Sequence, residues 1–156
     1  MKTVTLPFIP VLSVGGAAAT GDYVGTTAAP QFIENTLPSP NRRGRIVGLR
    51  GTDALATAAC DMELWLFDST FVAPTDNAAW AITDTEVDRC IAVIPVPAAK
   101  WYASSNNKVY SDFSLLVPIS LPNQGKLYYA LVSRGATPAW TAGAAELKFA
   151  IHVEQD

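Results

Sequence analysis

The sequence predicts an all-β fold, an antiparallel β-sandwich, and three observations carry that expectation. Eleven prolines and ten glycines, with many Ala, Ser and Thr clusters, cut the 156 residues into short pieces, the punctuation of strands and turns. Apolar residues recur with a period of two in several of these pieces, and helical periodicity is nearly absent. One stretch, from Asp61 to Glu86, holds a strand apolar on both faces and then a turn-rich polar loop with a second tryptophan. Seven or eight short strands in one domain favour a jelly roll, although strand number alone leaves an immunoglobulin-like sandwich open.

Taken in chain order, Thr3 to Ile9 is the first strand candidate. Residues 10 to 43 are almost uncharged apart from Asp22, Glu34, Arg42 and Arg43, and rich in Gly, Ala, Thr and Pro. Roughly 30 residues with so little strand signal are long for a structureless loop. Residues 1–41 therefore read as an extended N-terminal arm and residues 42–156 as the sandwich domain. Gly44 to Arg50 is the next strand.

In Cys60 to Asp68, Met62, Leu64 and Leu66 point one way and Trp65 and Phe67 the other. One face can meet the sandwich core; the other needs its own loop or a neighbouring subunit. Thr83-Asp84-Thr85-Glu86 fits a capping box and starts a helix of one or two turns before Cys90. It reads as a plug over the outer face of the Trp65 strand, with Trp80 packed beneath it. Within Cys90 to Val96, Ile91-Ala92-Val93-Ile94 is continuously apolar and reads as an interior strand covered on both sides.

Lys108 to Val117 is a broken strand. Lys126 to Arg134 alternates Leu127, Tyr129 and Leu131 against Tyr128, Ala130 and Val132, so both faces carry bulk. The last strand, Ala145 to Glu154, is half-buried. It sets Leu147, Phe149, Ile151 and Val153 against a wet face of Glu146, Lys148, His152 and Glu154.

A chain of 156 residues is one domain and buries roughly 70% of its unfolded surface. Hydrophobic residues make up 49% and charged ones 16%, against roughly 25% charged in ordinary soluble domains. Part of so bland a surface is expected to be covered in the working state. The net charge of −3 is spread along the chain, with no basic stripe to neutralise phosphates, so no nucleic-acid partner is expected. The cationic knot Arg42-Arg43-Gly44-Arg45 reads as a solvated turn or a subunit contact.

Lys2 precedes an uncharged run through Gly21, but Pro7 and Pro10 argue against a signal peptide and against a membrane helix; no membrane partner is expected. Cys60 and Cys90 lack metal or redox spacing. A disulfide between them cannot be read from sequence. Two reduced, packed thiols are the favoured state, pointing to synthesis in a reducing cytoplasm.

His152 is the only histidine, and its place between Lys148 and Glu154 reads as an ordinary surface position. Ser–His, Cys–His and zinc chemistry would all have to pass through it. Asp76, Asp84, Glu86 and Asp88 are concentrated enough to consider a carboxylate pair. Asp76-Asn77 is turn chemistry, however, and Asp84 and Glu86 sit where a helix start favours negative charge. The acidic spacing does not match a calcium loop. Gly15-Gly16 and Gly21-Asp22-Tyr23-Val24-Gly25 lack the helix and lysine of a phosphate cradle. No catalytic residue, metal or cofactor is therefore expected. Trp101, Tyr102 and Trp140 lie in loop-like segments near Ser, Asn and Thr and are candidate glycan contacts; closing the ends of the sandwich, or burial against a neighbour, is the favoured role.

With these residues laid out, the chain resembles small virion proteins of tailed bacteriophages and prophages. The resembling elements begin with Thr20-Gly21-Asp22-Tyr23-Val24-Gly25, Gly44-Arg45-Ile46-Val47 and Leu64-Trp65-Leu66-Phe67-Asp68. They continue through the loop from Ala73 to Trp80, Leu127-Tyr128, and Leu131 to Gly135, and end at Leu147 to Asp156. Most of residues 20 to 156 is covered, and no element is a catalytic signature. The resemblance implies a particle component similar to the jelly-roll cement or decoration proteins of capsids, which sit as trimers on the outer surface and bridge major capsid subunits.

The expectation is thus a non-enzymatic homotrimer on the outer capsid surface, made in the host cytoplasm, with itself and the major capsid protein as partners. Its expected subunit or capsid interface comprises Leu6, Phe8, Ile9, Tyr23, Phe32, Arg42, Arg43, Trp65 and Tyr128. The alternative is a carbohydrate-binding module or host-surface adhesin using Trp101, Tyr102 and Trp140.

Overall fold

The structure, a computed structural model, describes residues 2–12, 16–25, 30–34, 36–37, 43–55, 60–103, 106–121, 125–137, 139–141 and 144–155. Among them, two antiparallel sheets pack as a β-sandwich. The first sheet runs β1 (Lys2–Phe8), β11 (Leu147–Gln155), β4 (Arg43–Asp53), β8 (Lys108–Asp112), β7 (Trp101–Ala103), with β9 (Val117–Ser120) beside the start of β4. The second runs β2 (Tyr23–Val24), β10 (Leu127–Ser133), β5 (Met62–Phe67), β6 (Cys90–Val96), with β3 (Gln31–Ile33) also paired to β10.

Alternation places the core. Leu147, Phe149, Ile151 and Val153 of β11 bury together with Met62, Leu64 and Leu66 of β5 and Leu127, Tyr129 and Leu131 of β10. Each such side chain contributes about 1.5–3 kcal/mol by leaving water. A register shift between His152 and Val153 skips one residue of β4, so that Leu49 and Ile46, three apart in sequence, both reach the core.

The N-terminal segment differs from the expected arm. All seven residues of β1 pair with β11, and β2 and β3 both pair with β10. Phe8, Leu12, Ala18, Val24, Ile33 and Leu37 bury in the core. The described part of residues 1–41 is thus built into both sheets. Strands of two and three residues are too short to show a period, and their partner on β10 supplies what local pattern lacks.

The expected interior strand Ile91–Ile94 is also corrected. Among the described residues β6 is an edge strand bonded to β5 alone, and Val93 is 40% exposed. Pro95, which has no N–H to donate, suits that edge. The break in Lys108 to Val117 is observed, with Phe113 to Leu116 between β8 and β9. The capping box gives a single helical turn, α1 (Asp84–Val87).

Candidate functional site

The outer face of the second sheet carries Trp65, Phe67, Tyr128 and Ala130, and it is covered from within the chain. The loop after β5 folds back so that Phe71 lies 4.5 Å from Phe67 between ring centroids. Trp80 meets Trp65 at 5.6 Å, Tyr23 at 5.8 Å and Phe71 at 5.8 Å. Two carboxylates bolt this roof down. Glu86 accepts hydrogen bonds from the Thr83 N–H at 2.8 Å, the Thr83 hydroxyl at 2.9 Å and the Val72 N–H at 2.6 Å. The Thr83 and Val72 backbone donors hold it below the ordinary carboxylate range. Asp76 accepts from the Gly25 N–H at 3.1 Å, next to Asn77 in the left-handed region with φ 61°. Asp76 and Glu86, weighed as a carboxylate pair, are thereby placed in structural work.

Behind the roof, Gly25 permits a close approach that no other residue would: a Cβ there would lie 2.5 Å from both Gln31 Nε2 and the Tyr23 hydroxyl. Gln31 Oε1 in turn accepts from Tyr129 at 2.8 Å and the Val11 N–H at 2.7 Å. Burial pushes the Tyr23 and Tyr129 hydroxyls up from their ordinary values.

The expected interface residues separate into groups. Tyr23 is fully buried, and Trp65 is half-buried under the roof. Leu6, Phe8, Ile9 and Phe32, by contrast, are brought together. They line one cleft of about 380 Å³ between β1 and β3, with Glu34 at its rim and Tyr129 behind. Ile9 is 44% exposed, Phe32 40% and neighbouring Val11 53%, whereas Phe8 forms the buried floor. Tyr128 adjoins this surface through Phe32, at 5.6 Å, and Lys126 Nζ sits 4.4 Å from the Phe32 ring, a cation–π contact. Arg43 is exposed but lines a different cleft, with Pro118, Ile119 and Ser120. Arg42 lies outside the described residues.

The three candidate glycan rings do not form a platform. Trp140 is 2% exposed and donates its indole N–H to Asp53 at 3.3 Å; Trp101 packs inward against Tyr110 and Phe149; Tyr102 alone stands out. Trp101 and Trp140 thus close the sandwich, the favoured role.

His152 is half-buried, with Nδ1 3.1 Å from the Thr5 hydroxyl and its ring 4.8 Å from Phe113. Burial, and then the Arg50 charge, lowers its pKa. Both cysteines are free thiols. Burial, and then the Asp53 and Asp61 charges, push Cys60 up to about 12, and burial raises Cys90, so neither is an activated nucleophile. Among the described residues, no group of three or more His, Cys, Asp and Glu could hold a metal ion.

Sequence reading missed buried Asp53, raised by desolvation and paired in register with buried Lys108. Only the strand pairing reveals that neighbourhood. No protein-family model matches the chain, and a search of curated proteins gives no match either.

Proposed function

We propose that this protein is a non-catalytic structural component of a tailed-phage virion. It would act as a decoration or cement protein that binds the major capsid lattice from outside and stabilises the head as a homotrimer. The observation that carries this reading is the gathering of Leu6, Ile9 and Phe32 around one cleft at the sandwich edge, while Trp65, Phe67 and Tyr128 of the second sheet are covered internally. Exposed apolar side chains that cluster mark surfaces that associate. A trimer engages several lattice positions at once, so modest single contacts give durable attachment.

The strand order supports a jelly roll. β2 and β3 count as one interrupted strand, since both pair with β10, and short β7 and β9 are set aside. Eight strands then remain, with pairs first–last (β1–β11), second–seventh (β2/β3–β10), third–sixth (β4–β8) and fourth–fifth (β5–β6). A long antiparallel ribbon has those pairs, and rolling it up adds β11–β4 in one sheet and β10–β5 in the other, as found here. A carbohydrate-binding reading would rest on Tyr102 alone and is not adopted.

The test joins Ile9→Asp and Phe32→Asp in one chain, a milder change than deleting β1 and its seven pairs. The wild-type protein should sediment as a trimer and pellet with expanded shells of the phage that encodes it. The double variant should keep its far-ultraviolet spectrum but lose both properties. A wild-type monomer without affinity for shells, or a double variant that still binds, would reject the reading.

A further inference from the structure

The outer face of the first sheet is set out in rows by its register. Lys148 stands beside Thr52, Ala150 beside Arg50 and Pro7, and His152 beside Gly48 and Thr5. Ala150 carries almost no side chain, and a groove of about 150 Å³ opens over it between Pro7, Arg50, Thr52 and Lys148, while Phe113 covers the buried Gly48 in the next row. Arg50 and Lys148 are exposed, and neither has an ion-pair or hydrogen-bond partner among the described residues.

The neighbouring acids are already engaged. Glu154 pairs with Arg45, Glu146 accepts from the Thr141 N–H at 2.7 Å and its hydroxyl at 3.1 Å, and Asp112 holds Lys100 at 3.3 Å and Ser114. Two cations on diagonal positions of one sheet face repel each other. They lie, unneutralised, on a chain whose net charge is −3. His152 Nε2, in the adjoining row, is buried without a partner.

We propose that this face docks an acidic, extended segment of a partner protein, with carboxylates on Arg50 and Lys148 and the segment's backbone crossing Ala150 between them. The guanidinium offers a planar fork to one carboxylate and the ammonium a point charge to the next. A nucleic acid is the poorer fit. Its affinity grows with the number of phosphates neutralised, and this groove presents two cations on an otherwise acidic protein. The groove shares Pro7 with the cleft between β1 and β3, but neither Arg50 nor Lys148 lines that cleft, and their occupancy does not depend on its role.

Fluorescence anisotropy of a labelled hexaglutamate peptide, titrated with the full chain at low salt, tests this. Saturable binding that weakens as salt rises is expected, with at least a tenfold loss in Arg50→Gln/Lys148→Gln. Little change is expected in Lys2→Gln/Arg89→Gln, which removes the same charge elsewhere. Backbone amide shifts at Thr52 and Lys148 should move with the peptide. The proposal is overturned by absence of binding at low salt, by an equal loss in the two double variants, or by a labelled hexathymidylate that binds as tightly as hexaglutamate.

Discussion

The two sheets wear opposite outer faces. On the second sheet Trp65, Phe67 and Tyr128 point away from the core, and the chain spends residues 68 to 87 and Tyr23 covering them. On the first sheet the outward positions among the described residues include Thr3, Thr5, Ala150, Arg50, Lys148, Thr52, Ser111, Val109 and the exposed Tyr102, and Phe113 leans over His152 and Gly48. A strand with two apolar faces does not by itself announce a partner. Here its cover is local in sequence, while Ile9, Val11 and Phe32 at the edge stay exposed, as do Arg50 and Lys148 on the first sheet.

Opening the roof should produce the largest effect. Phe71→Ala empties a buried site against Phe67 and Trp80 and should cost about 3–5 kcal/mol, lowering Tm by roughly 10 °C or more. A hydrophobic dye should bind the uncovered Trp65 face. If a neighbouring subunit were the true cover, the loss would instead shrink as protein concentration rises. Next comes Gly25→Ala, whose Cβ would collide with Gln31 and Tyr23; about 1–3 kcal/mol should disappear in urea denaturation.

Glu86→Gln loosens the bolt of the roof and should cost about 1 kcal/mol at neutral pH. The Glu86 pKa is depressed in the fold, so its contribution is present above the unfolded value of about 4.3 and is lost as pH falls through the folded one. In the variant that acid limb should flatten. On the other face the sign comes from a histidine. His152 is also depressed, so the unfolded chain takes up its proton first, and stability should fall as pH drops from about 6.5 toward the folded value. His152→Asn should remove that step from denaturant midpoints measured against pH. The smallest effect belongs to Arg50→Gln, which should change stability by no more than about 0.5 kcal/mol because no ion pair holds it among the described residues.

The half-buried strand β11 was legible because its period of two spans nine residues, and α1 because Thr83 and Glu86 stand at capping-box spacing. β2 and β3 were not, since two or three residues hold no period and their stability comes from β10. The apolar run Ile91–Ile94 reads as interior by composition, which does not report how many neighbours a strand has; the signal for an edge was Pro95 in the same strand, which has no N–H to donate. At the candidate sites, Leu6, Phe8, Ile9 and Phe32 were each visible, but that they share one cleft depends on β1 and β3 lying side by side. Arg50 and Lys148 are far apart in the chain, and only the β4–β11 register makes them neighbours.

Hydrogen–deuterium exchange across a dilution series tests most directly whether the roof is intramolecular and association occurs elsewhere. Amides from Met62 to Glu86 should keep the same protection at every concentration, while those from Leu6 to Val11 and Gln31 to Ile33 gain protection as the protein associates. Protection over Trp65 and Trp80 that appears only on association, with the β1 and β3 segments unchanged, would contradict the account.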